Sequence, residues 1–213
     1  ARFFFHPQVD IFSLFIGYFP GALYDEVIQQ EERIFWSRFE DLTICTTLVY
    51  LTAAWRHERP KARLLWLALL CTLVYFQSEN MDLRRSRDHI QKRLGGHVVT
   101  QHFNIYYPKV WSANRVSTLA AELEFLHLEV TQSLDASPDG RLGIYFYTNM
   151  NQKKRLMGAR NTRIAKPWQA ELHIDAPRIG ASVIRHELIH LVAAEFGARP
   201  LSIAQNQFGL PNM

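Results

Sequence analysis

The chain has 213 residues, of which 48% are hydrophobic, so it is long and apolar enough for one large domain or two small ones with a buried core. Its formal net charge is +4, and the basic residues occur in short groups along the whole chain, which argues against nucleic acid as a partner. The two cysteines, Cys45 and Cys71, lie inside apolar runs and are expected to be small hydrophobic residues.

Three uncharged apolar runs occupy the first third of the chain, at residues 11–24, 42–55 and 64–78. As helices they would each span about 21–23 Å, less than the roughly 30 Å of a bilayer core. The second run can be lengthened through residues 34–36, and tryptophans or tyrosines stand near several ends, as at a membrane interface. We therefore predict that residues 1–78 are membrane-embedded helices in contact with lipid. A buried helical hairpin of a soluble protein is the alternative.

Charged residues between the runs predict an orientation. The connection from Arg56 to Arg63 is basic, whereas Asp25 to Asp41 is mainly acidic, so the positive-inside tendency places the basic connection in the cytoplasm. Everything after the third run would then be extracytoplasmic, although a basic group at residues 84–93 opposes this orientation.

After Gly95 and Gly96 the pattern changes, and it predicts a mixed α+β unit at residues 97–213, preceded by a linker at residues 79–96. Period-two alternation predicts strands, and leucines at helical spacing predict a long amphipathic helix. A short basic segment predicts a second helix. The predicted elements are strand 97–107, helix 114–134, strand 142–148, helix 149–157 and strand 170–175.

The most informative stretch is residues 181–197, which contain the pattern His-Glu-x-x-His at His186, Glu187 and His190. The stretch has no internal proline and ends at Gly197, which predicts one helix packed on the sheet. Residues four apart share a helix face, so His186 and His190 can ligate one Zn²⁺ while Glu187 reaches a water activated by the metal. In so apolar a helix, a metal would compensate for the desolvation of these side chains. A chance occurrence of the motif is the alternative.

Residues 97–213 resemble the gluzincin-type zinc metallopeptidases, in particular the peptidase MA-like domains of bacterial membrane proteins. The resemblance is carried by the motif at residues 186–190, and less specifically by residues 102–108, 158–162, 165–168 and 171–174. It implies that the strand before the metal helix lies at the edge of the sheet, where an extended peptide substrate can bind. Glu171, His173 and Asp175 are accordingly expected to contact the substrate, although His173 could instead be an ordinary strand residue.

The chain departs from the family pattern at the third zinc ligand. Gluzincins take that ligand from a glutamate on a later helix, but Glu195 is the only acid between His190 and Met213. Five residues correspond to about 140° around a helix, so Glu195 would point away from the metal. We expect the sequence to be cut short before the missing helix.

The sequence therefore predicts a membrane-anchored zinc peptidase, with N-terminal transmembrane helices followed by a small zincin-like α+β subdomain. His186 and His190 would be the metal ligands and Glu187 the general base and acid. We expect it in the bacterial inner membrane, with the peptidase domain outside the cytoplasm. The alternatives are a catalytically inactive, membrane-anchored protease-fold scaffold or binding protein, and a soluble α-helical partner-binding protein with a chance motif.

Overall fold

The computed structural model describes residues 7, 9, 11–13, 17–19, 32–57, 66–74, 85–175 and 180–197. Its centre is a five-stranded mixed sheet formed by β3 (Gly95–Val99), β4 (Phe103–Pro108), β5 (Leu142–Tyr147), β6 (Ile164–Lys166) and β7 (Glu171–Asp175). The strands lie in the order β3-β4-β5-β7-β6. The inner pairs β4/β5 and β5/β7 are parallel, and the outer pairs β3/β4 and β6/β7 are antiparallel.

Four helices accompany the sheet: α3 (Arg87–Leu94), α4 (Ala113–Leu134), α5 (Met150–Met157) and α6 (Ala181–Val192). The first three begin at side chains that accept a hydrogen bond from the backbone of the first turn, at Ser86, Ser112 and Asn149. Helices α3 and α5 end at Gly95 and Gly158 with positive φ, where glycine costs no strain. The predicted helix 114–134 and the predicted helix 149–157 are thus confirmed to within one residue.

Two separate cores lie on the two faces of the sheet. On one face α4 and α6 pack through leucines, isoleucines and valines against alternate residues of the strands, including Leu172 and Ile174 of β7. On the other face the core contains Ile90 and Leu94 of α3 and Leu156 and Met157 of α5. The α+β class predicted for this part of the chain is therefore confirmed.

Two segments differ from the predicted elements. The segment predicted as one strand, residues 97–107, is a hairpin of β3 and β4, closed by a hydrogen bond of 2.9 Å from the amide of Thr100 to the carbonyl of Phe103. The segment predicted as a linker, residues 79–96, contains α3, which is highly charged but buries Ile90 and Leu94 four residues apart. The second core thus includes residues that precede the predicted boundary at residue 97.

The prediction of transmembrane helices is wrong for the described residues. In the first apolar run, Ile11–Ser13 (β1) and Gly17–Phe19 (β2) form an antiparallel pair of strands. The second run lies in α1 (Glu32–His57), whose early turns carry Arg38, Glu40 and Asp41, and the third run contributes a short helix, α2 (66–74). Among the described residues, no helix has both the length and the apolar character required to cross a bilayer.

Helices α1 and α2 contact each other through small polar groups. The hydroxyl of Thr47 lies 3.1 Å from the sulfur of Cys71, and the same sulfur lies 3.8 Å from the carbonyl oxygen of Thr43. Several large apolar side chains of both helices face outward, among them Phe35, Val49 and Trp66. The apolar residues that predicted a membrane region are thus arranged as a helix pair with exposed outer faces.

Candidate metal centre

Helix α6 positions the His-Glu-x-x-His motif by burying one of its faces. Ile184 and Leu188 are fully buried against the sheet and α4, and Leu191 completes this apolar face. Because the side chains of a helix follow a period of 3.6 residues, this packing turns His186 and His190 toward solvent. The buried face thus fixes the helix rotation that exposes both imidazoles on one side.

The two imidazoles converge. Their Nε2 atoms are 3.2 Å apart, and their rings are nearly perpendicular, with centroids 4.8 Å apart. Two nitrogens that each ligate one Zn²⁺ at about 2.0–2.1 Å lie about 3.3 Å apart in a tetrahedral site. The observed distance between the two Nε2 atoms is therefore close to the distance that a shared zinc ion would require.

Glu187 lies one residue further around α6, with only 9% of its surface exposed. Burial raises the pKa of its carboxyl group, and the opposing effects of His190, His186, Arg163 and Lys153 are smaller. A carboxylate whose proton affinity is increased in this way is suited to accept a proton from water. Glu187 thus has the environment expected of a general base beside a metal.

The donor set is incomplete in the part of the chain that the structure describes. There, no group of three histidine, cysteine or acidic side chains is arranged to hold a metal ion. Glu195, which the helical spacing turned away from the histidines, is exposed in a turn of 3₁₀ helix formed by Ala193–Phe196. His186 and His190 would therefore account for two of the four ligands of a tetrahedral site, and none of the described residues would provide a third.

The three residues predicted to contact substrate do not lie beside the histidines. Leu172 and Ile174 of β7 face α6, so the alternating Glu171, His173 and Asp175 point to the other face of the sheet, where all three are buried. The prediction that β7 is an edge strand is also wrong, since it pairs with β5 on one side and β6 on the other. The edge strand next to α6 is β6.

These buried groups instead hold the second core together. His173 Nδ1 lies 2.8 Å from the hydroxyl of Tyr147, and Asp175 accepts a hydrogen bond of 3.0 Å from the fully buried ammonium of Lys153. Glu171 is ion-paired with Arg87 of α3. Burial raises the pKa of Glu171, but the hydrogen bonds and charges of His173 and Arg87 outweigh it and lower the pKa overall. This polar network ties β7 to α3, α5 and β5.

Arg163 was not among the site residues predicted from the sequence. Arg163 directly precedes β6, in a segment predicted to be a loop, and its positive charge acts on the carboxyl group of Glu187. The only sequence signal for it is the order Arg-Ile-Ala-Lys at residues 163–166, which has strand alternation but is too short to indicate a strand alone. Its position became evident only from the pairing of β6 with β7.

Comparison of the chain with known protein families, with characterised proteins and with solved structures finds no match. Its function therefore has to be inferred from the geometry of its own residues.

Proposed function

We propose that this protein is a zinc-dependent peptidase in which His186 and His190 ligate the metal and Glu187 is the general base. The observation that carries the proposal is the 3.2 Å separation of the two Nε2 atoms on the exposed side of α6. This separation fits one tetrahedral ion, and the adjacent Glu187 is buried with a raised pKa.

The chain's own residues then divide the chemistry. His186 and His190 would hold Zn²⁺, which would supply a Lewis acid for the activation of water and the polarisation of the scissile carbonyl group. Glu187 accepts the proton of the attacking water on its carboxylate and delivers the same proton to the nitrogen of the leaving amine. The burial of Glu187 favours the first step, because a raised pKa makes the carboxylate a stronger proton acceptor.

A catalytically inactive protease-fold binding protein is the second candidate. The observation in its favour is that the described residues bring no third metal-ligating side chain to His186 and His190. Such a protein would bind zinc through the two histidines but would cleave no member of a mixed peptide library.

Zinc titration of the whole chain tests the metal site directly. Two protein ligands leave half of a tetrahedral shell open, so we expect weak binding of one Zn²⁺ per chain by the wild type in calorimetric titration, and none at the same free zinc concentration for the double variant His186→Ala, His190→Ala. His97→Ala is the matched control, since His97 is exposed on β3 and stacks on Tyr106. Stoichiometric zinc that survives the double substitution would show that these histidines are not the ligands.

A further inference from the structure

Several cationic side chains on the sheet have hydrogen-bond or ion-pair partners among the described residues, and Arg163 differs from them in this respect. Lys153 donates to Asp175, Arg87 is paired with Glu171, and Lys166 donates to the carbonyl oxygen of Pro7. On α6, Arg185 is paired with Glu129 of α4 at 2.8 Å. In each case a carboxylate or carbonyl oxygen of the described chain accepts a hydrogen bond from the cation.

Arg163 forms no such contact with any of the described residues. Its Nε atom is buried and has no hydrogen-bond partner, although the side chain as a whole is half-buried. Leaving a buried donor unsatisfied costs about 1–3 kcal/mol, a cost that a bound anion would offset. The guanidinium group is therefore available to bind an anion.

Strand alternation places Arg163 on the same face of the sheet as the metal site. Ile164 packs in the second core, whereas Ala165 packs in the core that contains α6, so alternate residues of β6 point to opposite faces. Arg163, two residues before Ala165, belongs to the α6 face, and α6 packs against β6.

We infer that Arg163 binds a carboxylate group of the peptide substrate between the edge strand β6 and helix α6. This inference rests on the proposed peptidase function, and it specifies the substrate class as peptides with a carboxylate close to the cleaved bond. Guanidinium is suited to this ligand, since its planar donors can form two parallel hydrogen bonds to one carboxylate. The carboxylate could be the free end of the chain or an acidic side chain.

Peptide binding to the whole zinc-loaded chain tests the assignment without requiring turnover. The variant Glu187→Gln serves as the background, and the probes are two matched pairs of mixed-sequence peptide libraries. The first pair differs only in a free or amidated C-terminus, and the second only in glutamate or glutamine at one fixed position. Adding Arg163→Gln should weaken binding of the carboxylate-bearing member of one pair by about 10- to 100-fold, as expected for a charge-assisted hydrogen bond.

The affinity for the neutral members should change by less than about twofold. Arg163→Lys should retain part of the preference for the carboxylate-bearing member, because lysine keeps the positive charge but lacks the paired donors of a guanidinium group. Arg141→Gln is the control for loss of an exposed arginine, since Arg141 donates only to the carbonyl oxygen of Thr100. Equal weakening of charged and neutral libraries, or none, would overturn the inference. Zinc titration of the same samples shows separately whether the metal site is present.

Discussion

Glu187 differs from Glu171 and Glu124 in the sign of its pKa shift. The pKa of Glu171 and that of Glu124 are lowered, because hydrogen bonds and nearby positive charges outweigh their burial. For Glu187 burial outweighs the surrounding charges, and its pKa is raised. The environments of Glu171 and Glu124 thus favour a structural anion, whereas that of Glu187 favours a proton acceptor. The His-Glu-x-x-His pattern alone does not specify this difference.

Glu187→Gln should separate metal binding from catalysis. The substitution keeps the side-chain size and both imidazoles, so zinc affinity should change little. It removes the proton acceptor, and the loss of a positioned general base lowers the rate by about 10²- to 10⁴-fold. The measurement is the cleavage rate of a mixed peptide library by zinc-loaded wild type and variant. Equal rates would exclude Glu187 as the base, and zinc binding without cleavage by the wild type would favour the inactive binding protein.

The site could be predicted from sequence only where it is local. The i, i+4 spacing of His186 and His190 determines a shared face on any helix, so their convergence needed no tertiary information. The alternation of Glu171, His173 and Asp175 was equally visible, but alternation does not reveal which face of a sheet meets a given helix. Both faces of β7 are buried, and the structure places these residues opposite α6.

At the scale of elements, strong local patterns predicted α4, α5, β5 and β7 nearly to their ends, whereas weak patterns failed. The strand β6 has three residues, and it is held by pairing with β7. Helix α3 carries four charged residues in eight positions, namely Arg87, Asp88, Lys92 and Arg93, and only Ile90 and Leu94 are buried.

 His89 adds a further titratable side chain to α3. Apart from the pair Ile90 and Leu94, this helix therefore has no apolar periodicity that a sequence pattern could detect.

The N-cap of α5 provides a test of local helix stabilisation. The side-chain oxygen of Asn149 accepts a hydrogen bond of 2.9 Å from the amide of Gln152, whose own side chain accepts one of 2.7 Å from the amide of Thr148. Asn149→Ala should lower the free energy of unfolding by about 1 kcal/mol, because the first turn loses a capping acceptor. Urea unfolding measures the change. Asn151→Ala, at an exposed position within the same helix, is the matched control and should have no destabilising effect; equal losses in both variants would contradict the capping role.

For the molecule as a whole, the buried His173 predicts lower stability at acid pH. Burial lowers its pKa, more strongly than Glu171 raises it, so the folded protein binds a proton less readily than the unfolded chain. Below the unfolded value of about 6.5, protonation therefore favours unfolding, at up to about 1.4 kcal/mol per pH unit. Below about pH 4.3 the lowered pKa values of Glu171 and Glu124 act in the same direction. The groups around His173 are Glu171 on its own strand, Tyr145 and Tyr147 on β5, Lys166 on β6 and Lys153 on α5.

Urea unfolding at pH 7.5 and pH 5.5 measures this dependence. The wild type should be less stable at pH 5.5, and His173→Gln should show a smaller difference between the two pH values even if it is less stable at both. His97→Gln, at an exposed position on β3, should retain the wild-type difference. An unchanged difference in His173→Gln would exclude His173 as the source.

The extent of the folded unit can be tested by truncation, because its second core combines distant parts of the chain. Ile90 and Leu94 of α3 are buried in that core, Gln91 donates to the hydroxyl of Tyr145 at 3.1 Å, and Arg87 compensates the buried charge of Glu171. A chain that starts at residue 97 loses all four contacts. Each large apolar side chain removed from a core costs about 2–5 kcal/mol, and an uncompensated buried charge costs about 3–5 kcal/mol more. Together these losses approach the roughly 5–15 kcal/mol that stabilise a typical domain.

We therefore expect residues 84–213 to fold cooperatively and residues 97–213 not to fold, as measured by thermal and urea unfolding followed by circular dichroism. The longer fragment should be less stable than the whole chain, because Val9 is buried in the same core and its amide donates to the carbonyl oxygen of Met157 at 2.8 Å. Arg87→Ala in the longer fragment should be destabilising as well, since it leaves Glu171 buried without its partner. If residues 97–213 unfold at the same urea concentration as residues 84–213, α3 is dispensable and the unit begins at the glycine pair that precedes residue 97.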